Sequence, residues 1–315
     1  MPKISIIVPC YFNAENLPVT VPVLYDAEKL YPPGTRFEYI FVDDGSGDAT
    51  FSRLIEIRKA RPRDVKIVKL SRNFGANSAC FAGMHYATGD CNVIIAADLQ
   101  DPPELVPELF QHWLKGYKLV LANRANRDEP LLQTTISNFF HRLMKYFALT
   151  NTPSGGFDLV VFDKQIRDLV IKMDEKNAYL PYLFLWTGFE YVSVPYTRRK
   201  REIGKSRWTL KKKIKASIDC FVAFSFAPIR TLSVIGIFLG ILALGYTVVI
   251  LSHSLMEKNP VPGWSSLMVV VLVTACFQMI GLGVLGEYLW RTLEIGRNRP
   301  NFIVDQIHEE IENTG

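Results

Sequence analysis

Residues 36–50, R-F-E-Y-I-F-V-D-D-G-S-G-D-A-T, decide the fold. Aromatic and β-branched residues run from Phe37 to a pair of carboxylates, Asp43 and Asp44, then Gly45-Ser46 turns the chain into a helix over about 48–60. That is a buried strand, a tight turn and a covering helix. The same cadence repeats on either side. Residues 3–8 read as a strand ending at Pro9, with a helix from about Asn16, which can cap it. Residues 65–70, 92–97 and 119–122 read as further strands, and 76–86, the stretch after Pro102-Pro103 to 114, and the amphipathic 131–147 as helices. Continuous apolar strands alternating with helices predict an α/β domain whose parallel sheet is covered on both faces. In such sheets ligands bind beyond the carboxyl ends of the strands.

Those ends are acidic. The first strand leads into Pro9, Tyr11, Asn13 and Glu15, the second into Asp43 and Asp44, and the fourth into Asp98, Gln100 and Asp101. Any one alone is an ordinary cap or turn residue. Together on one rim they repel one another unless a cation or a donor-rich ligand is present. Carboxylates without His or Cys suit Mg2+ or Mn2+, hard ions that also hold phosphate oxygens. The rim therefore reads as a nucleotide-diphosphate and metal site. Rival chemistries lack their residues: no G-x-G-x-x-G follows the first strand, and no P-loop or G-x-S-x-G elbow occurs. The five histidines show no metal-ligand spacing, and the five cysteines form no C-x-x-C pair, which suits a reducing cytoplasm.

The 315 residues have 49% apolar content, 21% charged content and a mean hydropathy of +0.11, too apolar for a chain living wholly in water. Residues 231–251 hold no charge, and such a helix spans about 31 Å, close to the ~30 Å hydrocarbon core. A second run, 264–286, carries one strongly polar side chain, Gln278, and the two are joined through Pro260, Pro262 and Gly263. A membrane hairpin is predicted. Ten Lys and Arg against one acid fill 198–215 in a chain of net charge +5. With Arg230 before the first apolar run and Arg291, Arg297 and Arg299 after the second, this charge places both flanks in the cytoplasm. No charged-then-apolar leader opens the chain. Leu210, Ile214, Ile218, Phe221 and Val222 fall at helical spacing among lysines, the pattern of an amphipathic helix lying in the headgroup plane. That stripe favours anionic lipid over nucleic acid as the basic segment's partner. Gly236 and Gly240 form a G-x-x-x-G, a weak oligomer signal.

The ordered set S-I-I-V-P-C-Y-F-N-A-E-N-L, F-V-D-D-G-S-G-D-A-T, L-S-R-N-F-G-A-N-S-A, A-A-D-L-Q-D-P-P-E and S-G-G-F-D-L-V-V-F-D resembles the family 2 glycosyltransferases of GT-A type, over almost the whole chain. Within that family the chain most resembles the polyprenyl-phosphate sugar transferases, the dolichyl-phosphate mannose synthases and bacterial undecaprenyl-phosphate glucosyltransferases. The resemblance implies a GT-A-type, Rossmann-like, mostly parallel sheet followed by an interfacial helix and two C-terminal transmembrane helices. It implies a nucleotide-sugar site at Pro9, Tyr11, Glu15, Asp43, Asp44, Arg72 and Asp98, and a metal, Mg2+ or Mn2+, at Asp98 and Gln100. Asp98 and Asp158 are the implied catalytic acids, Asp158 matching the acid proposed as base; a polyprenyl phosphate, already largely dianionic, needs little deprotonation, so Asp158 is expected to position the acceptor as much as to act as base. Arg198, Arg201, Lys205 and Ser206 match the segment that contacts the lipid phosphate or the donor pyrophosphate. The chain departs from the common D-A-D-L-Q pattern at Ala96, which removes one carboxylate from the metal site.

The expected organisation is a cytoplasmic transferase domain over 1–197, a basic loop and amphipathic helix over 198–227, a transmembrane hairpin over 228–290 and a cytoplasmic tail over 291–315. The expected reaction is inverting transfer of glucose from UDP-glucose to undecaprenyl or dolichyl phosphate at the plasma membrane, by a homo-oligomer for which the resemblance suggests a tetramer. Mannose from GDP-mannose, an aminoarabinose derivative, or a non-catalytic membrane scaffold are the alternatives. A processive polysaccharide synthase is disfavoured, because Gly204 stands where Q-x-x-R-W needs its Gln before Arg207-Trp208.

Overall fold

Strands too apolar to expose either face need cover on both, and the chain supplies it with helices at every crossover. The computed structural model describes residues 1–124, 142, 146, 153, 157–175, 179–199, 217, 219–256 and 263–309. Its strands are β1 (Lys3–Cys10), β2 (Arg36–Asp43), β3 (Val65–Leu70), β4 (Cys91–Ile94), β5 (Leu119–Arg124), β6 (Phe157–Asp163), β7 (Tyr191–Tyr196) and β8 (Val304–His308). Its helices are α1 (Leu17–Ala27), α2 (Thr50–Ala60), α3 (Ala76–Tyr86), α4 (Val106–Leu114), α5 (Lys164–Met173), α6 (Leu180–Trp186), α7 (Ala227–Met256) and α8 (Trp264–Gly296).

All eight strands form one sheet in the order β7-β5-β6-β4-β1-β2-β3-β8. The central pairs β4-β1-β2-β3 are parallel, as is β5-β7, while β6 and β8 run against their neighbours. The mostly parallel α/β sheet expected from the sequence is thus present. Ile4, Ile6 and Val8 of β1, Tyr39 and Phe41 of β2, and Phe110 of α4 share one buried core. Each such side chain contributes about 1.5–3 kcal/mol by leaving water. β4 is shorter than the predicted 92–97, but Ile95 N still donates to Ile7 O at 3.0 Å. Asn16 does sit at the N-cap of α1 without capping it; its Oδ1 accepts from Asn13 Nδ2 at 3.3 Å instead.

Three strands lie beyond those read from the sequence. β6 is inserted antiparallel between β4 and β5. β7 contains Pro195 and is accordingly an edge strand, where a missing ladder donor is tolerated. β8, from the segment read only as a tail, closes the opposite edge against β3. The predicted helix 131–147 lies outside the described residues apart from 142 and 146, and most of the predicted interfacial helix does too, though 219–224 are helical.

By contacts the chain divides into Met1–Ala223 with Pro300–Gly315, and Phe224–Arg299. The second unit is an apolar hairpin. Windows Ala227–Tyr246 and Val273–Gly296 are long and apolar enough to cross a membrane, with mean hydropathies of 2.0 and 1.2. Val234, Ile237, Leu244 and Leu282 are each more than 60% exposed, a surface unsuited to water. The two helices meet where Gly281 faces Leu232, and Tyr288 Oη donates to Ser225 O at 3.1 Å. Gly236 and Gly240 meet nothing within 4 Å.

Candidate active site

Four loops leave neighbouring parallel strands at the same end of the sheet, so their side chains share one rim. The loop after β1 is locked to the loop after β2. Tyr11 N donates to Asn13 Oδ1 at 2.7 Å, Phe12 N to Ser46 Oγ at 3.0 Å and Asn13 N to Thr50 Oγ1 at 2.8 Å. These bonds hold Phe12 at φ +55°, a left-handed conformation that a bulky residue keeps only under such constraint. Pro9 and Tyr11 are half-buried here, and Glu15 is exposed.

Asp43 ends β2 and is fully buried. Its Oδ1 accepts from Ser46 N at 3.1 Å, while Oδ2 is buried without a hydrogen-bond partner. Burial raises its pKa against the pull of Ser46 and Lys69. Asp44 differs: Phe74 N and Gly75 N donate to its two oxygens at 2.7 and 2.9 Å. Burial raises its pKa too, the two backbone donors opposing it. Asp44 is therefore a strut that fixes the loop after β3. Gly45 completes the junction at φ +65°, where a Cβ would stand 2.4 Å from the Arg72 carbonyl carbon; only glycine fits. Arg72 is exposed on this loop, its guanidinium 4.0 Å from the centre of the Phe74 ring.

The loop after β4 carries the remaining acids. Gln100 N donates to Asp98 Oδ1 at 3.2 Å, and Leu99 between them has φ +55°. Asp101 is buried, accepts from Tyr196 Oη at 2.6 Å and lies 3.5 Å from Arg198 Nε. Arg198 also donates to Gln100 Oε1 at 3.3 Å, and Arg199 N to Gln100 O at 2.9 Å. The mutual repulsion expected of a clustered acidic rim is thus largely relieved by protein donors at Asp44 and Asp101.

Among the described residues no three His, Cys, Asp or Glu side chains gather into a metal cage. Asp98 and Gln100 are oxygen donors, and Ala96 contributes none. That set fits a hard divalent ion held jointly with diphosphate oxygens and water, the usual Mg2+ arrangement. It does not fit an ion retained by protein alone.

Asp158 lies in β6, and Ala122 pairs with Leu159 while Asn123 pairs with Phe157. Asp158 therefore falls at the register shift between β5 and β6. Arg201, Lys205 and Ser206 lie outside the described residues. Sequence reasoning missed Ser46, Thr50 and Tyr196 as site-building residues. The first two carried a turn-former signal; Tyr196 carried none, because its strand was not predicted.

Residues 5–168 match the sequence profile described as Glycosyl transferase family 2. The chain is 35% identical to the uncharacterized glycosyltransferase YkcC of Bacillus subtilis, over 96% of this chain and 93% of that one. It is 31% identical to the SfII prophage-derived bactoprenol glucosyl transferase of Shigella flexneri, over 97% and 98%. Among solved structures, glucosyl-3-phosphoglycerate synthase from Mycobacterium tuberculosis is similar with a TM-score of 0.45 and 19% identity, covering 69% of this chain and 76% of that one. The resemblance read from five motifs is upheld by a profile covering more than half the chain, and this protein belongs to glycosyl transferase family 2.

Proposed function

We propose that this glycosyltransferase moves glucose from UDP-glucose to a polyprenyl phosphate, with inversion, at the cytoplasmic face of the plasma membrane. The observation that carries the reading is its end-to-end similarity to a bactoprenol glucosyl transferase, which includes the apolar hairpin as well as the sheet. An acceptor whose tail stays in lipid calls for a catalytic domain tethered there. The return of the chain into the sheet as β8, after two apolar helices, supports both flanks lying on one side of the membrane. Basic flanks support that side being cytoplasmic.

In this reading the base or ribose of the donor hydrogen-bonds to Asp43 Oδ2, in keeping with that atom's burial and missing partner. Pro9, Tyr11 and Glu15 line the same end of β1, and Arg72 meets the nucleotide from the loop after β3. Mg2+ or Mn2+ bound with the diphosphate at Asp98 and Gln100 supplies Lewis-acid neutralisation of the leaving group. The acceptor phosphate, second pKa about 6, attacks as a dianion and is held by Arg198, Arg201, Lys205 and Ser206. Asp158 orients it. Attack opposite the leaving group turns an α-linked donor into a β-linked product.

A donor panel tests this. Purified protein is incubated with a short polyprenyl phosphate, Mg2+ or Mn2+, and UDP- or GDP-sugars in turn, and the lipids are read by mass spectrometry. A lipid-phosphate hexose from UDP-glucose that vanishes with EDTA is the expected result. Product from another donor alone overturns the sugar assignment, and no product from any donor overturns the reaction.

A further inference from the structure

Leu99 sits at φ +55° between the two proposed metal-binding residues. A γ-branched residue stays in the left-handed region only when its surroundings over-determine it. Those surroundings are identifiable. The strip 196–199 grips 100–104 through five contacts: Tyr196 Oη to Asp101 Oδ1 at 2.6 Å, Arg198 Nε to Asp101 at 3.5 Å, Arg198 to Gln100 Oε1 at 3.3 Å, Arg199 N to Gln100 O at 2.9 Å, and Arg199 to Glu104 at 3.3 Å. Asp101 is 4% and Tyr196 6% exposed, so their bond is buried. A phenol donating to a buried carboxylate is a short, charge-assisted bond.

Asp101 therefore faces the protein interior, toward β7, and its carboxylate is committed to Tyr196 and Arg198. We infer that Tyr196 and Asp101 are positioning residues: their hydrogen bond holds the loop 98–101 in the strained shape that presents Asp98 and Gln100 to a divalent cation and the donor diphosphate. The inference rests on the functional reading above and adds two residues to it.

The test is Tyr196→Phe, which removes one hydroxyl and no packing, with Asp101→Asn as the conservative companion, since its amide oxygen still accepts from Tyr196. Two readouts are taken on the full chain in detergent. Calorimetric titration of UDP with Mn2+ and with EDTA measures the metal-dependent part of nucleotide affinity. Amide exchange at Arg199, whose N–H donates to Gln100 O, reports the loop itself. Tyr196→Phe is expected to weaken Mn2+-dependent UDP binding by about tenfold or more, the usual range for a partner behind a metal ligand. Binding in EDTA stays unchanged, and exchange at Arg199 speeds up. Asp101→Asn retains more of the Mn2+-dependent affinity than Tyr196→Phe. Unchanged exchange, or faster exchange with unchanged Mn2+-dependent affinity, overturns the inference. Wild-type protein that binds no UDP at all overturns the functional reading and the role assigned to the loop, while the exchange data still show whether the latch exists.

Discussion

Two buried carboxylates on β2, Glu38 and Asp43, are five residues apart and differ in almost every respect that matters. Glu38 pairs in register with Ser5 near the start of the strand. It accepts from Lys3 Nζ at 2.9 Å, from Thr88 N and Thr88 Oγ1 at 2.8 Å each, and from Ser5 Oγ, with Lys66 Nζ at 3.1 Å. Burial alone would raise its pKa, but these donors and charges outweigh burial and bring the carboxyl down to about 2. Asp43 draws only on Ser46, through its backbone and side chain, and has an oxygen with no partner and a raised pKa, burial being the largest cause. One end of the strand spends its carboxylate on folding; the other keeps its carboxylate incompletely satisfied, at the rim proposed to bind the donor. Saturation of hydrogen bonds thus separates the structural end of the sheet from the proposed binding end more sharply than burial, which is nearly equal at 3% and 0% exposure.

Three substitutions test this contrast. Asp98→Ala, at the functional end, is expected to lower kcat/KM for the donor by about a thousandfold, as when a group stabilising developing charge is removed. Thermal stability should stay close to wild type, because Asp98 is only half-buried; a large fall in Tm would show that the rim also carries stability. Glu38→Gln, at the structural end, should destabilise by about 3 kcal/mol at neutral pH, following the drop from 4.5 to about 2. Because the folded pKa is depressed, that stability is present above pH 4.5 and is lost as pH falls toward 2. Urea unfolding followed against pH should show this loss in the wild type and a flatter profile in the variant, with the donor KM unaltered in both. The smallest effect belongs to Asp43→Asn. A raised folded pKa means that the ionised form opposes folding at neutral pH, and the group contributes most favourably below its ordinary 3.8, where it is protonated. The amide should leave stability unchanged or higher by under about 1 kcal/mol, yet weaken UDP binding by roughly tenfold. A marked loss of stability in this variant would erase the distinction between the two ends.

Much of this was legible before any coordinates. The strand-turn-helix cadence from Lys3 to Leu114 follows from runs of apolar residues broken by Asn, Gly and Pro, local signals that need no partner to be read. The acidic rim followed from strand polarity, since parallel strands bring their carboxyl ends together whatever their order. β6, β7 and β8 were not assigned as strands. β8 is five residues long and sits beyond two apolar helices, and its pairing with β3 is a contact across more than two hundred residues of sequence. β7 contains a proline that weakens a strand reading until its edge position is known.

The site divides the same way. Residue type and order alone nominated Asp43, Asp98 and Gln100, because hard-ion and nucleotide chemistry needs oxygen donors at strand ends. Only the fold distinguishes Asp44 and Asp101 from them. Both are acids at the same rim, but Asp44 is taken up by two backbone amides of the next loop and Asp101 by Tyr196. Sequence fixes which carboxylates exist and at which end of the sheet they gather. Which of them already has its hydrogen bonds filled is decided by loops from distant parts of the chain, because a carboxylate's availability depends on the donors around it, and those donors are assembled only by folding.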